Sequence, residues 1–313
     1  MPAPQSVSVP AANQLDVAAR TRTCAWCGAP IDQAAQELAG RVRCGRCGVA
    51  NTDPWPTAAE LDRAYSSWYR PASGRFSGIG DVILRRTRGR LARRADRVAP
   101  PGPVLDVGAG DGTLLDALAA RGRQALGLER EAKRPDMRSS ELTDVGGRWA
   151  AIVFWHSLEH LANPGEQLAR AASALSPGGV LIIAIPNNDS LQARLFDDRW
   201  LALDLPRHLV HLSSKALIER LEALSLTVER VSYWRGGQVV FGWLHGLVAM
   251  LPGHLDLYDA IRRPDAQRRR QSTRVRIATL ALGGLLAPVA ILAAAIEIAL
   301  GRGGTVYVEA RRG

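Results

Sequence analysis

Three groups of residues in this 313-residue chain have the types and spacing for chemistry. All four cysteines lie early, Cys24 and Cys27 in CAWCG and Cys44 and Cys47 in CGRCG, spaced C-x2-C-x16-C-x2-C. Each CxxCG turn can offer two thiolates on one side of a tight loop, and two such turns complete a tetrahedron for Zn2+. Four thiolates leave no open coordination position, which makes the site structural; the metal would supply folding energy that so small a module lacks. Disulfides fit poorly with a chain that shows no export signal, and a redox motif would not come as a matched pair. The second group is VLDVGAGDGTLL at 104–115, where Asp106 precedes Gly108, Gly110 and Gly112. Glycines at alternate positions let the backbone take positive φ and let a ligand come close. The third group is histidine: four of the six, His156, His160, His208 and His211, follow two predicted strands. An imidazole there can take up a proton near neutral pH.

The elements that must position these groups alternate in type. Residues 104–107 read as a buried strand, followed by the glycine turn and an alanine-rich helix over 113–121 that ends at Gly122. Residues 124–129 form the second predicted strand, and the short segment 130–149 leaves room only for a reduced helix and strand. A strand over 150–155 leads into HSLEHL, and Asn163-Pro164 with Glu166 starts a helix. VLIIAIPN at 180–187 is the most continuous apolar strand, as expected at the centre of a parallel sheet. After an insertion at 188–212 come a helix over 214–224, a strand over 227–234 and a last strand over 305–311. The alternation predicts an α/β, doubly wound parallel sheet. Ligands of such sheets bind at the carboxyl ends of the strands, where the histidines fall.

Asp-x-Gly-x-Gly-x-Gly resembles motif I of the class I S-adenosylmethionine (SAM) methyltransferases. With LEHL at 158–161 and LSPGG at 175–179, the chain resembles the broad class I group that includes quinone-biosynthesis and small-molecule methyltransferases. The resemblance implies a Rossmann-like sheet over 101–235 and 302–313. It implies that Asp106, Gly108, Ala109, Gly110 and Gly112 wrap the amino-acid end of SAM, with Trp155 beside the cofactor. Glu129 would hold the ribose diol, and Glu141, in preference to Asp144, would accept from the adenine amino group. His156 first, and His208 second, would be the general base for an oxygen acceptor. A variant makes Glu159 and His160 ligands of a divalent ion. One departure is Trp149-Ala150, where relatives often carry Phe-Asp. The cysteine pairs resemble zinc-ribbon knuckles, and RWLALDLPRHLVHL at 199–212 resembles a motif of methyltransferases often encoded with envelope-polysaccharide genes.

The remaining organisation follows from composition. Residues 1–22 read as a flexible tail, 23–50 as the zinc-ribbon-like module and 51–100 as a helical basic connector with Thr57 as a helix cap. The net charge is +10 and only Lys133 and Lys215 are lysines, a bias that suits phosphate or anionic lipid. Seven arginines crowd 85–97, as a solvated helix face or a phosphate-meeting surface. Residues 236–301 are apolar, and 277–296 contains twenty residues without a charge, long enough to span a bilayer. The last strand must return to the sheet, and the connector between the two apolar parts is rich in arginine. Both features favour an in-plane or re-entrant hairpin on the cytoplasmic face over two full spans. A core or dimer-interface pair of helices is the soluble alternative. These readings converge on methylation of a membrane-associated or lipid-linked acceptor. The rivals are an RNA methyltransferase, weakened by Trp155-His156-Ser157 in place of an Asn/Asp-Pro-Pro-Tyr type motif, and a non-catalytic adaptor, opposed by an intact glycine motif and Glu129.

Overall fold

The computed structural model describes residues 23–32, 37–66, 76, 80–234, 237–263, 266–267 and 271–313. The predicted tail at 1–22 lies outside them. Short strands come first: β1 (Glu37–Leu38), β2 (Arg41–Arg43) and β3 (Ala50–Thr52). Helix α1 (Ala58–Ala64) starts at the expected Thr57 cap, which forms a capping box with Glu60. The arginine-rich helix is α2 (Gly80–Val98). The alternating region then runs β4 (Val104–Val107), α3 (Thr113–Ala119), β5 (Ala125–Leu128), β6 (Met137–Arg138), β7 (Trp149–Trp155), α4 (Pro164–Ala174) and β8 (Leu175–Pro186). The insertion holds α5 (Leu191–Phe196) and β9 (Val210–His211), and is followed by α6 (Ser214–Ala223) and β10 (Leu226–Ser232). Three helices, α7 (Gly237–Ala249), α8 (Leu257–Ile261) and α9 (Thr273–Ala299), precede β11 (Thr305–Arg312).

Seven strands form the main sheet in the order β6-β5-β4-β7-β8-β11-β10. β4 to β8 run parallel, and β11 is antiparallel to both of its neighbours. The last strand therefore does return across the long insertion. Alternation along each strand divides the core. Leu105, Val107, Ile152, Phe154, Leu181 and Ile183 face one layer; Val104, Ala151, Val153, Val180 and Ile182 face the other, under α2 and α3. From β4 the chain winds outward to β5 and β6, then returns to the other side through β7 and β8. The order reverses between β4 and β7, and the crevice at their carboxyl ends is the natural ligand site.

Two features depart from a chain of separable modules. The cysteine module is not an appendage: Cys24, Trp26, Cys44 and Val49 belong to the same buried cluster as Leu105 and Phe154 of the main sheet. Its sheet has the order β1-β2-β3-β9, so the fourth strand comes from the insertion after β8. His211 pairs with Ala50 and Val210 with Asn51. The boundary expected at residue 50 is thus crossed by hydrogen bonds that no local sequence pattern announces.

The apolar insertion is also tied down. Glu297, fully buried near the end of α9, accepts from the Gln192 backbone N–H and side chain and from Trp243 Nε1, each at 2.9 Å, and from Gly304 N–H at 3.3 Å. These bonds join α9 to α5, α7 and the start of β11. Glu297→Ala would orphan several buried donors and is expected to destabilise the fold by about 3 kcal/mol or more, read as a lower denaturation midpoint. The small residues Gly283, Ala290 and Ala294 lie on the buried side of α9, while Ile277, Leu285, Val289, Leu292 and Ile296 are exposed. By length and composition α9 could cross a membrane. Of the connector arginines, Arg262 is buried against the Tyr258 ring, Arg263 donates to Phe76 O and Arg276 to Ala260 O. Residues 268–270 lie outside the described set.

Candidate active site

The glycine loop follows β4 as its spacing predicts. Gly108, Gly110 and Gly112 all have positive φ, at 81°, 66° and 79°. At Gly108 a Cβ would overlap that of Ser157, which begins the LEH turn after β7. At Gly112 it would meet Arg134 and Met137, so this third glycine serves packing at the start of α3. Glu129, at the end of β5, bends back so that its Oε2 accepts from Gly110 N–H at 2.5 Å. That bond joins the expected ribose carboxylate to the expected SAM loop.

A cleft of about 2790 Å3 opens over these residues. Gly108, Ala109, Gly110, Glu129, Trp155, His156 and His208 line it. Asp106 is buried within β4, and neither it nor Gly112 lines the cleft. Glu141 also stands away from it, where its carboxylate accepts from Gln167 Nε2 of α4 at 3.0 Å. A contact with adenine would require that bond to be broken.

Next to the glycine loop the histidines cluster around one acid. Glu159 is buried, with Oε1 3.5 Å from His156 Nδ1 and 4.0 Å from His208 Nε2. Burial pushes its carboxyl up, but His156, His160 and His208 more than offset this and hold it below the usual carboxylate range. His160 Nδ1 lies 2.9 Å from Arg207 O and 3.0 Å from the Tyr65 hydroxyl. Burial and the nearby His208 drive its pKa down to about 4, so this ring is neutral at physiological pH. His211 is depressed well below its ordinary value by burial and belongs to the seam with the cysteine module, 3.2 Å from Thr52 Oγ1. The same hydroxyl donates to His208 O at 2.6 Å. Glu159, His160 and His208 offer ligand atoms within 4.8 Å of one another, the geometry the divalent-ion variant requires.

Several lining groups escaped the sequence reading. Gln238 of α7 reaches His156 Nε2 at 3.1 Å, and Phe241 and His245 follow on the same helix, so the apolar insertion forms a wall of the cleft. Their near-helical spacing could have marked a face but not what it faces. Two of the seven arginines noted at 85–97 line the cleft as well: Arg88 of α2 lies over the Trp155 ring at 5.3 Å, and Arg94 holds Glu309 with two bonds of 2.6 Å.

The four cysteines come together as predicted. Cys24 and Cys47 are 3.7 Å apart at sulfur, Cys27 and Cys44 are 3.8 Å apart, and all four sulfurs lie within 4.8 Å. A tetrahedron with Zn–S bonds of 2.3 Å has edges of about 3.8 Å, so the donor set fits Zn2+. The two turns match: Gly28 N–H donates to Cys24 O and Gly48 N–H to Cys44 O, at 2.8 and 2.9 Å. Asn51 Nδ2 lies 3.4 Å from Cys24 Sγ and supports that ligand from behind.

Comparison with known proteins adds to this geometry. A family profile for a methyltransferase domain matches residues 83–231, which span the glycine loop, Glu129 and the histidine cluster. Over residues 83–231 the chain matches a methyltransferase domain, built on a Rossmann-like sheet. The domain is similar to the ubiquinone biosynthesis O-methyltransferase of Azorhizobium caulinodans, 29% identical over 44% of this chain and 64% of that protein. The enzyme of the same name from Xanthomonas campestris pv. campestris is 32% identical over 31% of this chain and 49% of its own length. The chain spans between 40% and 64% of the length of these curated relatives. Among solved structures, a SAM-dependent methyltransferase from Archaeoglobus fulgidus is 16% identical, with 73% of this chain and 94% of that one covered and a TM-score of 0.44.

Proposed function

We propose that this chain methylates an oxygen of a small-molecule or saccharide acceptor that is carried in a membrane or linked to a lipid, and that it works as a monotopic protein at the cytoplasmic face. The Gly108–Gly110 loop and Glu129 would hold SAM, which supplies the methyl group, and Zn2+ would fill the four-cysteine site. The named relatives' O-methylation supports an oxygen acceptor.

The form of the cleft carries the membrane reading. Ile83, Leu84, Trp234 and Val275 line the cleft and are all solvent-exposed, Trp234 at 64%, which gives its rim an apolar part. Val275 lies in the first turn of α9, whose outer face continues the apolar surface through Ile277, Leu285 and Leu292. Arg85 and Arg90 also line this side of the cleft, where they suit anionic head groups. A large exposed apolar face beside a cleft mouth has a use if the acceptor enters from a bilayer.

The test pairs two measurements. Protein incubated with methyl-labelled SAM and a bacterial lipid extract should place label in the organic phase. The protein should also sediment with liposomes of mixed zwitterionic and anionic lipid, and a Leu285→Glu/Leu292→Glu variant should stay in the supernatant while still binding SAM. Label that RNase releases, or a wild-type dimer that stays soluble with the outer face of α9 buried between copies, overturns the reading.

A further inference from the structure

One wall of the cleft gathers arginines from two elements. Arg90, Arg94 and Arg97 stand at i, i+4 and i+7 on α2, so they share a stripe of the helix, and all three line the cleft. Arg94 crosses to the sheet and grips Glu309 of β11 with two bonds of 2.6 Å. That contact fixes the stripe against the sheet edge, with Arg90 and Arg97 each about one turn from it. On the neighbouring strand β10, Arg230 pairs with Glu309 and Ser232 with Tyr307, so these four side chains share one face of the sheet. Arg230 and Ser232 also line the cleft.

The acids nearby are already matched. Glu309 is buried, held by Arg94, and accepts from the Tyr307 hydroxyl. Burial pushes its carboxyl up, but Arg94, Tyr307 and Arg230 draw it below the usual carboxylate range, so it is ionised and Arg94 balances it. Of the two acids on α2, Asp96 binds Arg121 and Arg123, and Asp81 faces Arg263 at 3.6 Å. Arg90, Arg97 and Arg230 are exposed and make no ion pair among the described residues. Like charges collected on one concave wall raise its potential and favour an anion of more than one charge.

This wall adjoins both the reacting centre and the apolar part of the rim. The Trp155 ring lies 6.4 Å from that of Tyr307 and 6.2 Å from that of His156. Trp234 follows Arg230 by four residues, and Ile83 and Leu84 precede Arg90 on α2. We propose that the acceptor carries a phosphate or diphosphate ester, which Arg90 and Arg230 bind while its lipid chain rests on the apolar rim and the group to be methylated lies past Trp155. The inference rests on the lipid-linked acceptor proposed above and gives that acceptor its charge. The anion is part of the substrate, not a head group of the surrounding bilayer. Arginine suits it: the planar fork meets two phosphate oxygens at once and stays charged at any working pH.

The test uses the full chain in neutral detergent, where no anionic membrane is present, with farnesyl diphosphate as the probe. Calorimetry should show it binding about tenfold or more tighter than farnesol, which lacks the anion, and than inorganic diphosphate, which lacks the chain. Arg90→Gln/Arg230→Gln should weaken the probe by about tenfold while SAM affinity stays within about twofold. Arg90→Lys/Arg230→Lys should recover part of the loss. Product labelled from the lipid extract should be retained on an anion exchanger. Equal affinity for farnesol and farnesyl diphosphate overturns the proposal. Unchanged probe affinity in Arg90→Gln/Arg230→Gln, with weakened binding to anionic liposomes, also overturns it and assigns the arginines to bilayer head groups. Labelled product that passes the exchanger as a neutral lipid overturns it too, and leaves the membrane-carried acceptor standing. Displacement of the probe by bulk transfer RNA, with label that RNase releases, overturns both.

Discussion

Gly108→Val is expected to abolish SAM binding in calorimetry. Two independent costs fall on this position. The backbone φ of +81° is one a β-branched residue resists, at about 1–3 kcal/mol. The added Cβ would also overlap Ser157 at the base of the histidine turn, so loop and turn would have to separate. The valine methyls would then occupy space at the wall of the cleft, where a ligand must meet backbone. The main sheet should persist, because β4 pairs with β5 and β7 upstream of the loop. Unchanged far-UV circular dichroism with lost binding is the expected pair of results. Wild-type affinity in the variant would remove the loop from the cofactor site.

Cys24→Ser is expected to lower the zinc content from about one ion per chain to near zero and to reduce methyl transfer by about 10²-fold, the scale of a misplaced catalytic group. Read from spacing alone, the cysteine module looks separable from the catalytic domain. The structure links them within a few bonds: Cys24 to Asn51, Asn51 to Val210 across β3 and β9, and Thr52 to His208 and His211. A structural zinc contributes about 10–16 kcal/mol in small finger peptides, far more than three short strands can supply unaided. Its loss should loosen residues 23–52, and with them the loop that places His208. The glycine loop lies on other strands, so SAM affinity should change only a few-fold. A stable, metal-free wild type, or full turnover in Cys24→Ser, would contradict this account.

The legible parts of the chain were those set by local chemistry. Glycines at 108, 110 and 112 encode their own positive φ, CxxCG encodes its own turn, and the apolar run of β8 encodes a central strand. Glu129 was legible because its place at a strand end is fixed by the length of one βα unit. Glu141 was less so: it follows a reduced segment whose β6 is only two residues long, and its carboxylate turns to Gln167 on α4 instead of the cleft. Contacts between distant segments could not be read. Nothing near Val210 indicates that it pairs with Asn51, and nothing in an apolar stretch indicates that Gln238 meets His156 or that Glu297 is buried by four donors. This last group matters for experiment, because removing residues 237–300 to obtain a soluble domain would also take away a wall of the cleft.

The seam between β3 and β9 has a consequence for how the chain is made. A ribosome releases all four cysteines, and can release a loaded metal site, long before His211 exists. Until then β3 is the open edge of a three-stranded sheet, with the backbone groups of Ala50 and Asn51 available to any passing strand. The nascent module therefore depends on the second half of the chain for closure. Strand-edge aggregation during expression is the expected hazard, and truncations that stop before residue 211 should show it most.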